Sequence, residues 1–146
     1  MGLYGLPFEG IKEIRAEIKR VQAEFDAGMQ GNASKLKKEF VDAFGYSLPI
    51  KLARMRTQSY SPLMWRDYTK GSNSRALLKG GFFGKVGREI LAMLPEDKRR
   101  ILMEIEFKRM HLSHALGLLQ YEIARLKRLE SEFEAWRDWM RDANRH

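Results

Sequence analysis

The 146-residue sequence contains no cysteine and only four prolines. Without cysteine the chain can form no disulfide bond, thiolate nucleophile or cysteine-ligated zinc site. The scarcity of proline, together with apolar residues spaced three and four apart, predicts a mainly α-helical protein. At this length we expect one domain, residues 1–146, with a hydrophobic core of its own.

The sequence also lacks any apolar run near the length of about 18 residues that indicates a membrane-spanning helix. Residues 1–6 have no charged segment followed by an apolar run, so they lack the pattern of a signal peptide. They also lack the serine or threonine that the myristoylation pattern requires. We therefore expect a cytoplasmic protein that does not contact a membrane.

Positive charge is concentrated in one part of the chain. The formal net charge is +8, and residues 51–88, here called the basic segment, carry nine basic side chains and one acidic side chain. Acidic and basic side chains balance in residues 1–50 and again in residues 89–146. Charge that served only solubility would be spread along the chain, so its concentration favours a polyanion as the partner.

Aromatic residues and glycines are interleaved with these cations. An aromatic ring can stack on an unpaired base, which contributes about 1–3 kcal/mol, while arginine or lysine neutralises phosphate. We therefore predict a non-catalytic nucleic-acid-binding accessory protein for DNA or RNA, single strands included, with little sequence specificity. The candidate contacts are Arg54, Arg56, Trp65, Arg66, Lys70, Arg75, Lys79 and Lys85, with Tyr60 or Tyr68 as further stacking residues.

The predicted fold is an antiparallel helical bundle in which the first helix packs on a long C-terminal helix. Gly28 and Gly31 are predicted to end the first helix, Asn32 to cap the second, and Gly45 to end the second. The predicted helices span residues 8–28, 33–44, 82–94 and 95–143. The apolar stripe of the third helix is predicted to contain Phe83, Val86, Ile90 and Leu94.

Residues 47–81 are predicted to form a basic, extended insertion between the helices. Two short, partly alternating stretches on either side of a Ser/Pro turn at residues 59–62 favour a small β-hairpin, although an irregular loop is compatible with the same residues. In a hairpin, Lys51 and Ala53 would share one face, and Leu52 and Arg54 the other.

Two glycine motifs in the basic segment do not establish a nucleotide site. Residues 80–86 resemble a phosphate-binding P-loop, but Lys79 replaces the first glycine and Val86 replaces the magnesium-binding serine or threonine. Residues 84–87 match the G-x-x-G loop of nucleic-acid-binding KH modules. Glycines that allow two helices to cross closely are the favoured explanation for that motif.

Catalytic and metal-binding patterns are weak. His111 and His114 lie one helical turn apart without a nearby third ligand, so packing or interface roles are favoured over metal binding. A DNA-cleaving tyrosine would need histidine or carboxylate help, and Asp67 is the only acid of the basic segment. We expect no enzymatic activity, no metal and no cofactor.

Residues 57–130 contain the run Met64-Trp65-Arg66, a Ser/Asn/Arg segment and a long helical pattern. In these features the chain resembles a family of uncharacterised bacterial proteins that are encoded on integrating conjugative elements near DNA-processing genes. The resemblance implies a mobile-element accessory protein. It implies no catalytic residues, because the family has none established.

Two other functions stay open at this stage. The chain could be a protein–protein adaptor or inhibitor that docks its basic face on an acidic or nucleic-acid-loaded host complex, or a structural homodimer joined through the C-terminal helix. Trp65 discriminates between the first two functions, because base stacking requires an exposed ring whereas an adaptor can bury the ring in its own core.

Overall fold

The computed structural model describes residues 10–55 and 62–144. The protein is mainly helical, as predicted, and a small two-stranded antiparallel sheet is inserted between its helices. The helices are α1 (Ile11–Gly28), α2 (Ser34–Phe44), α3 (Lys85–Met93) and α4 (Glu96–Ala143), and the strands are β1 (Ile50–Arg54) and β2 (Leu63–Asp67).

The first and last helices pack against each other in opposite directions. Arg15, near the start of α1, forms ion pairs with Glu130 and Glu134 in the last third of α4. Gly28, at the end of α1, lies beside Leu116, which is about four turns before the first of those glutamates. The apolar stripe of α1 faces α4 and contributes Ile14, Val21 and Phe25 to the core.

The predicted break between the first two helices is wrong. The backbone continues from α1 through a π-helical turn, Met29–Ala33, into α2, and Asn32 lies inside that turn rather than capping a helix. A Cβ atom on Gly28 would lie 2.6 Å from Cδ2 of Leu116, so this glycine permits close approach of α4. Gly45, with φ of +57°, does end α2.

The predicted β-hairpin is confirmed. β1 and β2 pair antiparallel, with Leu52 opposite Trp65 and Lys51 opposite Arg66. Leu52 and Trp65 are buried whereas Lys51 is exposed, which is the alternation expected of a sheet with one face on the core. The predicted turn at residues 59–62 lies outside the described residues except for Pro62.

Helix α4 holds β2 through side chains that bond to its outer edge. The Ser113 hydroxyl accepts a hydrogen bond from the Leu63 N–H at 3.2 Å, and Arg109 donates to the Leu63 carbonyl oxygen at 2.9 Å. The indole N–H of Trp65 donates to Glu106 at 3.0 Å, and Glu106 pairs with Arg109. These bonds fix the hairpin, and the basic residues on it, relative to α4.

The third helix begins three residues later than predicted. Gly81–Phe83 form a 3₁₀ turn, and Gly84, in an extended conformation, precedes α3. This interruption changes the phase of the apolar stripe, so Phe82 is buried and Phe83 is 93% exposed. The prediction that Phe83 belongs to the buried stripe is therefore wrong.

The long C-terminal helix is confirmed, since α4 spans 48 residues and Pro95 precedes it. Among the helices of residues 10–55 and 62–144, none combines the length and the apolar character needed to cross a membrane.

Candidate polyanion-binding surface

The basic segment has no ion pairs of its own in the part of the chain that the structure describes. The ion pairs there all join residues of the flanking helices. Asp67, the one acid of the segment, accepts hydrogen bonds from the backbone N–H and the hydroxyl of Thr69. The cations without an acidic partner are Lys51, Arg54, Arg66, Lys70, Arg75, Lys79, Lys85 and Arg88.

In the flanking helices, by contrast, nine of the described cations form ion pairs with acidic side chains. Hydrogen bonds from Arg20 lower the pKa of Glu17, and hydrogen bonds from Arg125 lower the pKa of Glu122. These carboxylates therefore stay ionised below their usual titration range, and each holds its arginine in place. The net positive charge of the protein belongs to the basic segment, since acidic and basic side chains balance in the flanking residues.

Two cations of the segment face each other across the hairpin. Lys51 and Arg66 are directly opposed in the register of β1 and β2, and like charges in this position destabilise a sheet by up to about 1 kcal/mol. The Lys51 ammonium lies over the rings of Tyr46 and Tyr68, at 5.4 and 5.3 Å from their centroids. An anion bound on this face would relieve the repulsion between the two cations.

A cavity of about 590 Å³ adjoins β1, and the described residues that line it are apolar, cationic and polar but include no acid. Two of these residues, Arg66 and Gln120, each have one buried side-chain atom, Nε and Oε1, without a hydrogen-bond partner among the described residues. The polar lining residues are Lys37, Arg54, Arg66, Tyr68 and Gln120.

The glycines at residues 80–87 build a tight turn rather than a nucleotide loop. Gly80 and Gly81 have φ of +72° and +57°, a left-handed conformation that favours glycine. A Cβ atom on Gly87 would lie 2.5 Å from Cα of Phe82. The close contact is thus between α3 and the preceding turn, and the prediction that two helices cross here is wrong.

Trp65 does not belong to the exposed surface. Its ring is 3% exposed and packs edge-on against Phe40 and Phe82, with centroids 5.0 and 5.6 Å away. The alternation of β2 turns this residue toward the core, so it presents no face on which a base could stack. The prediction of Trp65 as a base-stacking residue is corrected accordingly.

The other predicted site residues form two groups in the structure. Arg54 and Arg66 line the cavity beside β1. Lys70, Arg75 and Lys79 are exposed on the turns that follow β2, and Lys85 is exposed at the start of α3. Arg56 and Tyr60 lie outside the described residues.

Three further residues join these groups, although they are not among the predicted site residues. Lys37 of α2 and Gln120 of α4 line the cavity. The apolar periodicity of the sequence indicates only that Lys37 lies on the solvated side of its helix and that Gln120 lies within a helix. Phe83 is an exposed aromatic residue between Lys79 and Lys85 along the chain. In the sequence, only the position of Phe83 inside the basic segment indicates that it belongs to the site.

The two histidines of α4 do not form a metal site with their neighbours. His111 and His114 are both exposed, and no three histidine, aspartate or glutamate side chains converge anywhere in residues 10–55 and 62–144. The ring of His111 instead contacts Phe107, with the centroids 4.5 Å apart.

Comparison of the chain with protein-family models, curated proteins and solved structures finds no match. The resemblance to proteins of integrating conjugative elements therefore stays a prediction.

Proposed function

We propose that the protein is a non-catalytic nucleic-acid-binding accessory protein that contacts phosphates through the basic segment. The observation that carries this proposal is that the segment's described cations have no acidic partner and hold the net charge of the protein, whereas nine described cations of the flanking helices form ion pairs and the charges there balance. Phosphate groups would supply the missing counter-charge, and their binding would release counterions.

The arrangement of the cations supports contact with the backbone rather than with base edges. Lys70, Arg75 and Lys79 are exposed on turns rather than on a helix that could enter a major groove, and Lys85 and Arg88 lie in the first turn of the short helix α3. Phosphate contacts carry no sequence information, so binding with little sequence specificity is expected.

The direct test of this function is fluorescence polarisation with labelled single-stranded DNA, duplex DNA and RNA of equal length at low salt. Binding to at least one of the three supports the proposal, and the preferred strand type identifies the substrate. Absence of binding to all three would contradict it.

Phe83 is expected to supply the base stacking that Trp65 cannot. The Phe83→Ala variant should weaken binding of single-stranded DNA by about 1–3 kcal/mol, or roughly 5- to 150-fold. Its thermal unfolding should not change, because the ring is 93% exposed. Polarisation titrations of wild type and variant measure the difference.

The matched control for Phe83 is Trp139→Ala, which removes a 62% exposed aromatic ring from the charge-balanced end of α4. Its affinity should stay within about twofold of wild type, since a surface position outside the interface contributes little. An equal loss in both variants, or an equal loss on duplex DNA, would show that Phe83 does not stack on bases.

The adaptor or inhibitor is the second candidate function, and the burial of Trp65 favours it. In this function the basic segment docks on an acidic or nucleic-acid-loaded complex of the host. A protein of a mobile element would inhibit or recruit a host system in this way. It predicts no binding of free nucleic acid in the titrations described above.

A homodimer through α4 is the third candidate. Trp136 and Trp139 contact each other at 5.6 Å between centroids and are both exposed near the C-terminal end of the helix. Exposed tryptophans are enriched in protein interfaces. Light scattering distinguishes this candidate by the molar mass in solution.

A further inference from the structure

Helix α4 carries a line of exposed, mostly apolar side chains, here called the outer stripe. The stripe consists of Met103, Phe107, Met110, His114 and Leu118, whose spacings of 4, 3, 4 and 4 residues place them on one side of the helix. Its four apolar members are between 41% and 59% exposed. Single exposed apolar residues are ordinary, whereas a contiguous line of them marks an interaction surface.

The other sides of α4 contact the rest of the protein. Arg109 and Ser113 bond to the hairpin, and Lys108 forms an ion pair with α2. Leu116 contacts the end of α1. The outer stripe lies on the remaining side of the helix, where its side chains stay exposed.

Exposed charges of opposite sign lie near the two ends of the stripe. Glu104, beside the first residue of the stripe, takes part in none of the ion pairs found within residues 10–55 and 62–144. Arg125, beyond the other end, donates to Glu122 through Nε and one terminal nitrogen. The second terminal nitrogen of Arg125 can therefore donate to a further carboxylate.

These charges match a second copy of α4 that runs in the opposite direction. Glu104, His111, Leu118 and Arg125 follow one another at intervals of seven residues, so they share one flank of the stripe. In an antiparallel pair of identical helices, this flank faces the same flank of the other copy. A two-fold axis between residues 114 and 115 then brings Glu104 of each copy opposite Arg125 of the other.

Two other occupants of the stripe fit less well. In a parallel pair of helices, Arg125 and Arg128, which continue the line of the stripe, would each face their own copy, and such like-charge contacts are unfavourable. A nucleic-acid strand would find no lysine or arginine within the stripe to neutralise its phosphates. The antiparallel second copy is the occupant that matches both the apolar line and the charges at its ends.

We propose that the outer stripe is a dimerisation surface on which a second copy of this chain binds, with the two α4 helices antiparallel. The apolar side chains of the stripe become buried against those of the other copy, and the Glu104–Arg125 pair forms once at each end. The two helices overlap over residues 96–133, or roughly 57 Å. Trp136 and Trp139 lie outside this overlap, so the surface differs from the tryptophan pair considered above.

The same symmetry places both basic segments on one side of the dimer. Each hairpin bonds to Arg109 and Ser113, which lie across the stripe from the flank that contains Glu104. Like flanks of an antiparallel pair lie on the same side, so the two hairpins do as well. A long nucleic-acid strand would then bind both basic segments at once and more tightly than one. This consequence rests on the proposed function, whereas the dimer itself does not.

The lack of cysteine allows the surface to be mapped by crosslinking single-cysteine variants with a short bismaleimide, without nucleic acid. His114→Cys places its thiol beside the two-fold axis, so this variant should give covalent dimers on a denaturing gel. Arg125→Cys alone should not, but an equal mixture of Arg125→Cys with Glu104→Cys should. Trp139→Cys is the exposed control outside the overlap and should stay monomeric. Crosslinking of Arg125→Cys with itself, or none for His114→Cys, would overturn the proposal.

Light scattering of the protein should give twice the mass of one chain. Combining Phe107→Glu with Leu118→Glu should reduce it to the mass of one chain, because four carboxylates would be buried between the helices. Both side chains are exposed in the single chain, so circular dichroism should show an unchanged helix content. Trp136→Glu is the matched control and should remain dimeric. A wild-type protein with the mass of one chain at its highest soluble concentration would overturn the proposal, as would an equal loss in the control.

Charge reversal tests the direction of the two helices. Glu104→Arg and Arg125→Glu should each weaken the dimer by about tenfold, because both ends lose an ion pair and gain a like-charge contact. The variant that carries both substitutions should recover the wild-type dissociation constant within a few-fold, since each reversed charge again meets its opposite. Sedimentation equilibrium measures the three constants. Additive losses in the double variant would overturn the antiparallel pairing.

Discussion

Replacing four exposed cations of the basic segment with glutamine should lower the affinity for single-stranded DNA by about 100-fold or more at 0.1 M salt. The slope of log K against log salt should fall by about 3, because each lost phosphate contact removes about 0.7 from it. The reason is that these side chains have no acidic partner in residues 10–55 and 62–144 and are available to neutralise phosphate. The four residues are Lys70, Arg75, Lys79 and Lys85.

The matched control removes the same net charge from the flanking helices. It replaces Lys12 and Lys19 of α1 and Lys127 and Arg128 of α4, which are all exposed, with glutamine. If binding depends on the basic segment, this control should retain wild-type affinity within a few-fold. An equal loss in both variants would mean that total charge alone governs binding, and polarisation titrations over a salt series distinguish the two results.

Trp65→Ala should lower the free energy of unfolding by about 3–5 kcal/mol, the usual cost of truncating a buried aromatic residue. The ring fills the space between Phe40 and Phe82, and its loss leaves Glu106 buried without the indole donor. Denaturant unfolding followed by circular dichroism measures this change.

The control for stability is Trp136→Ala, which truncates a tryptophan that is 65% exposed. It should change the free energy of unfolding by less than about 0.5 kcal/mol. A loss below about 1 kcal/mol for Trp65→Ala would contradict the packing of Trp65 between the two phenylalanines.

Trp65→Phe separates the structural role of this residue from a role in binding. The variant keeps an apolar ring in the core but cannot donate to Glu106. We expect an intermediate loss of stability and an affinity for single-stranded DNA within about twofold of wild type, because Trp65 does not reach the surface. A large loss of affinity in the folded variant would restore Trp65 as a binding residue.

The features that the sequence predicted correctly depend on local pattern. The bounds of α4 follow from Pro95 and from a long run without helix-breaking residues. The hairpin follows from two short alternating stretches, in which Lys51 and Leu52 face opposite sides as expected. The segregation of charge can be counted directly. In each case the residues that determine the feature are close together in the sequence.

The predictions that failed concern positions whose structure is decided by distant residues. Gly28 looked like a helix stop, but its lack of a side chain accommodates Leu116 of α4. Residues 82 and 83 are both phenylalanine, and only the 3₁₀ turn before α3 determines which of the two is buried. The burial of Trp65 was left open for the same reason.

The candidate site illustrates the same limit. Arg54 and Arg66 could be selected from the basic segment because they lie within it. The sequence shows Lys37 only as a cation on the outer side of α2, for which a solvated face is favoured, and it gives no reason to select Gln120 of α4, because both meet the hairpin only in the folded protein.

The central claim is that the unpaired cations of the basic segment form the polyanion-binding surface. Lysine acetylation, quantified by mass spectrometry with and without saturating single-stranded DNA at low salt, tests it most directly. The account predicts that Lys70, Lys79 and Lys85 become protected while Lys12 and Lys127 do not. Protection of the flanking lysines instead, with the segment's lysines unchanged, would contradict it.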